Sequence, residues 1–208
     1  MLQNNKPWIL NIGCGTHKMP DACNLDISEA VNPDVCFDLE NCASVPLPFS
    51  DNTFNAIHAS HTLEHIRNIL PLMQELYRVA KPGALLVGRV PYGSHDCAFE
   101  DPTHVRQFML ESPSYFSQAA YSKADYGYRG DWAVDKMFVC FPQEVFRQAG
   151  DMKNLKEMFY RLRNTATELI FECRAVKPLR QPLEAHKQDA SVTQFIAEGD
   201  YRVNLNRT

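Results

Sequence analysis

No stretch of this 208-residue sequence is apolar over the ~20 residues that a bilayer-spanning helix needs, so membrane insertion is not expected. Blocks of lysine and arginine are missing too. The formal net charge is −4, and without a basic stripe a nucleic-acid backbone is not an expected partner. The seven cysteines are odd in number and include no C-x-x-C pair. That argues against a disulfide framework or zinc knuckle and for a cytoplasmic home. Met1 to Pro7 is polar and lacks the basic start and apolar centre of a signal peptide. What is present is 45% hydrophobic and 22% charged, which suits one globular domain, expected over residues 1–176, with a polar C-terminal extension over 177–208. Oligomeric state is not legible from these properties.

Short apolar runs punctuate the chain. Trp8-Ile9-Leu10-Asn11-Ile12 stops at Gly13-Cys14-Gly15 and reads as a buried strand entering a glycine turn. Residues 23–27, 34–39 and 54–60 read as the next three strands, and Ala84 to Val90, closed by Pro91, as a fifth. Leu63, Ile66, Leu70, Met73, Leu76 and Tyr77 recur at helical spacing. Proline is tolerated in a first helical turn, so the helix is expected from about Pro71 to Val79, ended by Lys81-Pro82-Gly83. Asn154–Leu162 and Glu168–Ala175 read as a β-hairpin turning at Asn164, an antiparallel addition to the sheet. Strands alternating with helices predict a doubly wound, Rossmann-like α/β fold. Residues 92–141 hold 11 of the 22 aromatic residues and stand apart as an insertion or lid. Ser191 to Glu198 carries a weak helix signal.

Open α/β sheets bind ligands beyond the carboxyl ends of their strands. Gly13-x-Gly15 supplies the turn that lets a ligand approach the backbone, but Lys18 stands where a dinucleotide fingerprint wants its third glycine, which disfavours NAD. Asp26 ends the second strand, where a carboxylate accepts from both hydroxyls of a ribose; Asp38 ends the third, where one accepts from an adenine amino group.

The ordered series Leu10-Asn11-Ile12-Gly13-Cys14-Gly15, Asn24-Leu25-Asp26, Asp38-Leu39, Pro46-Leu47-Pro48-Phe49, Ser60-His61-Thr62-Leu63-Glu64-His65 and Arg78-Val79-Ala80-Lys81-Pro82-Gly83 resembles the class I S-adenosylmethionine-dependent methyltransferase family, in its compact bacterial branch, over residues 8–91. The resemblance implies a seven-stranded, mostly parallel sheet with an antiparallel final strand. It also implies S-adenosylmethionine as cofactor, bound near Asn11, Gly13, Cys14, Gly15, Asp26, Asp38, Leu39 and Ser60. Asn11 and Asn55 depart from the acidic residues usual in the family. The link from Gly15 to Asn24 is too short for a full crossover helix, so the first helix is expected to be a stub.

Two further constellations stand out. His61-x-x-Glu64-His65 matches an inverted zinc-peptidase motif, with His61 and His65 on one helical face. No third ligand is evident downstream, so no metal is expected and a zinc hydrolase is the remote alternative. Asp101-Pro102-Thr103-His104-Val105-Arg106 places an acid, an imidazole and a guanidinium beyond the fifth strand. His104 is the expected general base, with Asp101 as its orienter and His61 as the second candidate. Arg106 and Tyr92 are expected on the acceptor. The expected reaction is methyl transfer to a small or glycan-like acceptor at oxygen, and the nearer alternative is a non-catalytic S-adenosylmethionine-binding protein of the same fold.

Overall fold

A computed structural model describes residues 8–184 and 193–205. Its sheet contains β1 (Ile9–Ile12), β2 (Ala22–Asp26), β3 (Val35–Cys36), β4 (Phe54–Ser60), β5 (Ala80–Pro91), β6 (Trp132–Phe141), β7 (Glu168–Ala175) and β8 (Thr193–Ala197). The helices are α1 (Ile69–Val79), the single turn α2 (Cys97–Glu100), α3 (Gln143–Ala149) and α4 (Met152–Arg161). The strand order is β3-β2-β1-β4-β5-β7-β6-β8. All neighbours pair in parallel except β7, which is antiparallel to both β5 and β6. The chain runs outward from β1 in one direction, then returns to lay β4 on its other side. That reversal opens a crevice at the carboxyl ends of the strands.

The five-strand, one-helix reading of residues 8–91 holds, with shifted ends. Helix α1 starts at Ile69, because Ile69, Leu72, Met73, Leu76 and Tyr77 form one buried stripe and Pro71 fits inside the first turn. The Glu40 carboxylate accepts from the Arg67 (2.6 Å) and Asn68 (3.2 Å) amides just before it. Lys81-Pro82-Gly83 lies within β5 rather than ending the helix. The expected stub helix is absent from the nine residues between β1 and β2, where turns such as His17 N–H to Cys14 C=O (2.9 Å) make the crossing.

Three expectations after β5 fail for identifiable reasons. Residues 154–162 are not a strand; most belong to α4, whose Leu155 and Phe159 bury one face at i, i+4 spacing. Asp151 caps it, accepting from the Asn154 amide at 2.8 Å. The true partner of β7 is β6, hidden within the aromatic segment because a register shift between Val134 and Lys136 breaks its period-2 alternation. Finally, 193–197 is a strand, not a helix. It adds an eighth member to the sheet, with Phe195 stacked near Phe141 (5.1 Å) and Phe159 (5.0 Å). Ser191 and Val192 lie outside the described residues.

The main core sits between the sheet and α1, α3 and α4. Phe171 crosses it over Gly88, where a Cβ would fall on the Phe171 ring. The other face holds a smaller cluster, including Ile9, Leu85, Val87 and Ile170, covered by Leu205 with Tyr201 beside it. Most rings of the aromatic segment anchor it. Phe116, Tyr121, Tyr128 and Trp132 are buried, while Tyr115 and Tyr126 are exposed. Trp132 donates its indole N–H to Met73 C=O under α1 at 3.1 Å. The fully buried Asp131 accepts from Arg180 Nε (2.7 Å) and Nη2 (2.8 Å) and from the Gln118 amide (3.2 Å), tying the segment to the chain after β7. All seven cysteines are free thiols. Among the described residues no helix is long and apolar enough to cross a membrane.

Candidate functional site

A cleft of about 400 Å³ opens at the carboxyl ends of β1 to β4. Gly13 and Gly15 follow β1 with φ of 58° and 47°, the left-handed region that glycine enters without strain. A Cβ on Gly13 would fall on the Thr62 side chain, which is held by its hydroxyl donating to Ile12 C=O (3.2 Å) or Ser60 C=O (3.1 Å). Across the turn, the Asp26 carboxylate accepts from the Gly15 amide at 2.8 Å and from the Ser28 amide at 2.9 Å. Each oxygen retains a second lone pair for a ligand. Asp38 caps the 3₁₀ turn Leu39–Ala43, accepting from the Glu40 amide at 3.0 Å. Leu25, Phe37, Leu39 and Ile66 supply apolar lining. An open backbone, two strand-end acids and an apolar floor suit an adenosyl group.

Of the residues expected on the cofactor, Gly13, Asp26, Asp38 and Leu39 line this cleft. Gly15 acts through Asp26. Ser60 gives its carbonyl to Thr62, and Cys14 is buried, with burial pushing its thiol up. Asn11 is buried and its amide is engaged elsewhere: Nδ2 donates to Asn24 Oδ1 at 3.0 Å, and Oδ1 lies 3.0 Å from His58 Nδ1. It braces three adjacent strands instead of facing the cleft. Sequence reasoning passed over Thr62, Phe37, Glu40, Ile66 and Arg67, all of which line the cleft. Phe37 beside Asp38, Thr62 beside His61 and Ile66 in the apolar stripe carried local signals, but none that pointed to a ligand.

The wall beyond β4 is polar. His61 and His65 do not share an α-helical face as expected: Leu63–His65 is a 3₁₀ turn, and His61 itself sits at φ 50°, an uncommon state for a non-glycine residue. His61 Nε2 lies 3.0 Å from Glu168 Oε1, a carboxylate also held by Arg89 Nε (2.9 Å) and Nη2 (2.5 Å). The hydrogen bond to Glu168, then the Glu64 carboxylate 3.5 Å away, overcome burial and push the His61 imidazole up to about 9. Glu168, on β7, was not legible as a site residue. His65 faces the other way, with Nδ1 2.9 Å from Thr103 Oγ1.

His104 packs edge-on against His65, ring centroids 4.8 Å apart, with only 9% of its side chain exposed. Its Nδ1 lies 3.3 Å from Ala98 C=O. Asp101 does not hydrogen-bond it, standing 3.8 Å from Nε2. Asp101 instead accepts from the Thr103 hydroxyl (2.6 Å) and amide (2.8 Å), bonds that hold its carboxyl below the usual range. Arg106 donates from Nη2 to Arg67 C=O at 2.9 Å, and burial pulls its guanidinium downward. Tyr92 is not at the cleft: its ring packs in the core against Phe159 at 5.1 Å, and burial pushes its phenol up to about 12.

Residues 2–130 match a family model described as a methyltransferase domain. No curated protein matches the sequence. Among solved structures, an S-adenosylmethionine-dependent methyltransferase from Archaeoglobus fulgidus is 17% identical, covering 82% of this chain and 86% of its own, with a TM-score of 0.54. One from Methanosarcina mazei is 15% identical over 84% of this chain and 94% of its own, with a TM-score of 0.52. The cyclase SpnF is 15% identical over 82% and 75%, with a TM-score of 0.54. At such identities the common element is the fold, and SpnF is named for another reaction, so the fold by itself does not name the chemistry.

Proposed function

We propose, from the premise that the chain belongs to the methyltransferase-domain family and is an S-adenosylmethionine-dependent enzyme, that it methylates a hydroxyl oxygen of a small or glycan-like acceptor. When bound, S-adenosylmethionine supplies an electrophilic methyl group. The chain supplies position and proton handling, which suffices for an activated donor. Asp26, pre-oriented by two backbone amides, would hold the ribose hydroxyls. Asp38 would take the adenine amino group, with Leu39 beneath. Gly13 keeps the backbone open, and its packing against Thr62 closes off the space behind it.

The observation that carries the oxygen assignment is the imidazole wall. His65 lines the cleft and His104 packs edge-on behind it, which supports an imidazole as the group that takes the proton of an acceptor hydroxyl. We assign that step to His104 and assign Arg106 to an acidic group on the acceptor; His61, the second candidate from sequence, is raised to about 9 and paired with Glu168, so near neutral pH it holds a proton rather than takes one. The glycan-like class rests on the likeness of the Asp101-Pro102-Thr103-His104 stretch to one in bacterial methyltransferases associated with surface-polysaccharide synthesis.

Labelled S-adenosylmethionine offered with nucleotide sugars and glycan fragments tests the acceptor; transfer to none of them, but to an amine or thiol, refutes the oxygen reading. On an identified acceptor, His104→Ala is expected to keep cofactor affinity and lose at least ~10²-fold in turnover, with Asp101→Asn losing less. Normal turnover in His104→Ala refutes its assignment.

A further inference from the structure

We propose that Glu64, His65 and His104 form a binding site for one divalent transition-metal cation at the acceptor end of the cleft. The sequence showed no third ligand for a His61–His65 pair; the fold instead brings His104 to Glu64 and His65. The loop after α2 returns along the 3₁₀ turn at Leu63–His65, with the Val105 amide donating to Glu64 C=O at 3.0 Å. One potential ligand atom from each of the three side chains lies within 4.8 Å of the others. A tetrahedron of 2.0–2.1 Å bonds places its ligands roughly 3.3 Å apart, so modest side-chain rotations close the set.

Glu64 provides the first independent reason. Its side chain is 2% exposed, and neither carboxylate oxygen has a hydrogen-bond partner among the described residues. Its ion pair with His61 Nδ1 is long, 3.5 Å from Oε1. A buried carboxylate with one long ion pair and no hydrogen bond is costly, and coordination to a metal is one of the few arrangements that offset it.

The histidines provide the second. The Thr103 hydroxyl donates to Asp101, so its oxygen accepts from His65, whose Nδ1 is therefore the protonated nitrogen. His104 Nδ1 likewise faces a carbonyl, which only accepts. Both rings thus carry their proton on Nδ1 and present a lone pair at Nε2. A fixed Nδ1–H on carbonyl or hydroxyl oxygen is the outer-shell arrangement that orients metal-ligating histidines. Two imidazoles and one carboxylate suit zinc, manganese, cobalt or iron better than magnesium or calcium.

The proposal rests on the methyltransferase reading only for placing the acceptor beside His65. A bound cation would act as a Lewis acid next to the acceptor hydroxyl, and it would replace the base assignment made above, because His104 would then have no lone pair left to take a proton.

The test uses the full chain, stripped with chelator and titrated by calorimetry with zinc, manganese or cobalt chloride, without cofactor or acceptor. One equivalent is expected to bind and to raise Tm. Glu64→Gln, which keeps the shape but removes the charge, is expected to abolish that rise. Its metal-free Tm is expected to stay within about 2–4 °C of the parent's, because the ion pair it loses to His61 is long, which separates lost ligation from lost folding. His104→Ala is expected to weaken binding at least ~10-fold, the lower bound seen for outer-shell changes alone. No saturation with any of the three metals below ~1 mM, a ~4 kcal/mol interaction, overturns the proposal, as does binding unchanged in both variants. Cofactor affinity and methyl transfer measured on the same preparations keep the two readings apart: transfer without metal binding sinks only the cation.

Discussion

Replacing Asp26 by alanine removes one carboxylate with two functions. It accepts from the Gly15 and Ser28 amides at 2.8 and 2.9 Å, and it is the proposed acceptor for ribose hydroxyls. A hydrogen bond to a charged group contributes about 1.5–3 kcal/mol. The two amides belong to half-buried residues, where water can replace the lost oxygens, so most of the loss is expected to fall on the ligand. Asp26→Ala is therefore expected to weaken S-adenosylmethionine binding by about 1.5–3 kcal/mol, roughly a 10- to 150-fold rise in Kd. The loosened turn is expected to cost about 1 kcal/mol of stability, a fall in Tm of about 2–4 °C. Asp26→Asn keeps one acceptor oxygen and belongs between parent and alanine on both scales. Titration calorimetry and thermal unfolding on the three proteins check the ordering. An unchanged Kd in both variants refutes the placement of the ribose at Asp26, and a fallen Tm with unchanged Kd shows that the carboxylate serves only the turn.

Gly13→Ala combines a positive φ with a methyl group aimed at Thr62, so it is expected to destabilise the fold by about 1–3 kcal/mol and to weaken cofactor binding; denaturant unfolding with parent stability contradicts the crowding seen at this turn. Arg180→Met strands the buried Asp131 carboxylate and is expected to cost about 3–5 kcal/mol, read from the denaturation midpoint. Burial pushes Asp131 up, but Arg180 and the Gln118 amide overcome it and leave the folded carboxyl below its ordinary value. Its stabilisation is therefore full above the unfolded pKa of about 3.9 and lost as pH falls through the lower folded value. Parent and Arg180→Met stabilities should converge on that acid limb; a difference that stays constant through it refutes the ion pair as the cause.

Residues 8–91 could be read because their signals are local. The apolar runs at Leu10 and Ile57, the stripe from Ile69 to Tyr77, and glycines or acids at strand ends each depend on near neighbours in the chain. Those signals brought Gly13, Asp26 and Asp38 to one cleft through a topology that the order of strands and helices already implied. Beyond Pro91 local signals misled. The shift at Val134–Lys136 disguised β6, and the two buried residues of α4, with exposed Tyr160 and Leu162 around them, passed for a strand.

Periodicity reports that a face is buried, never against what. Tertiary structure alone decided that Glu168 on β7 reaches His61, that Asn11 turns to Asn24 and His58, and that Tyr92 enters the core. It alone brought His104 to Glu64 and His65. Each of these meetings joins residues far apart in sequence, across loops whose paths are set by the packing of the whole sheet and by no rule internal to the segment.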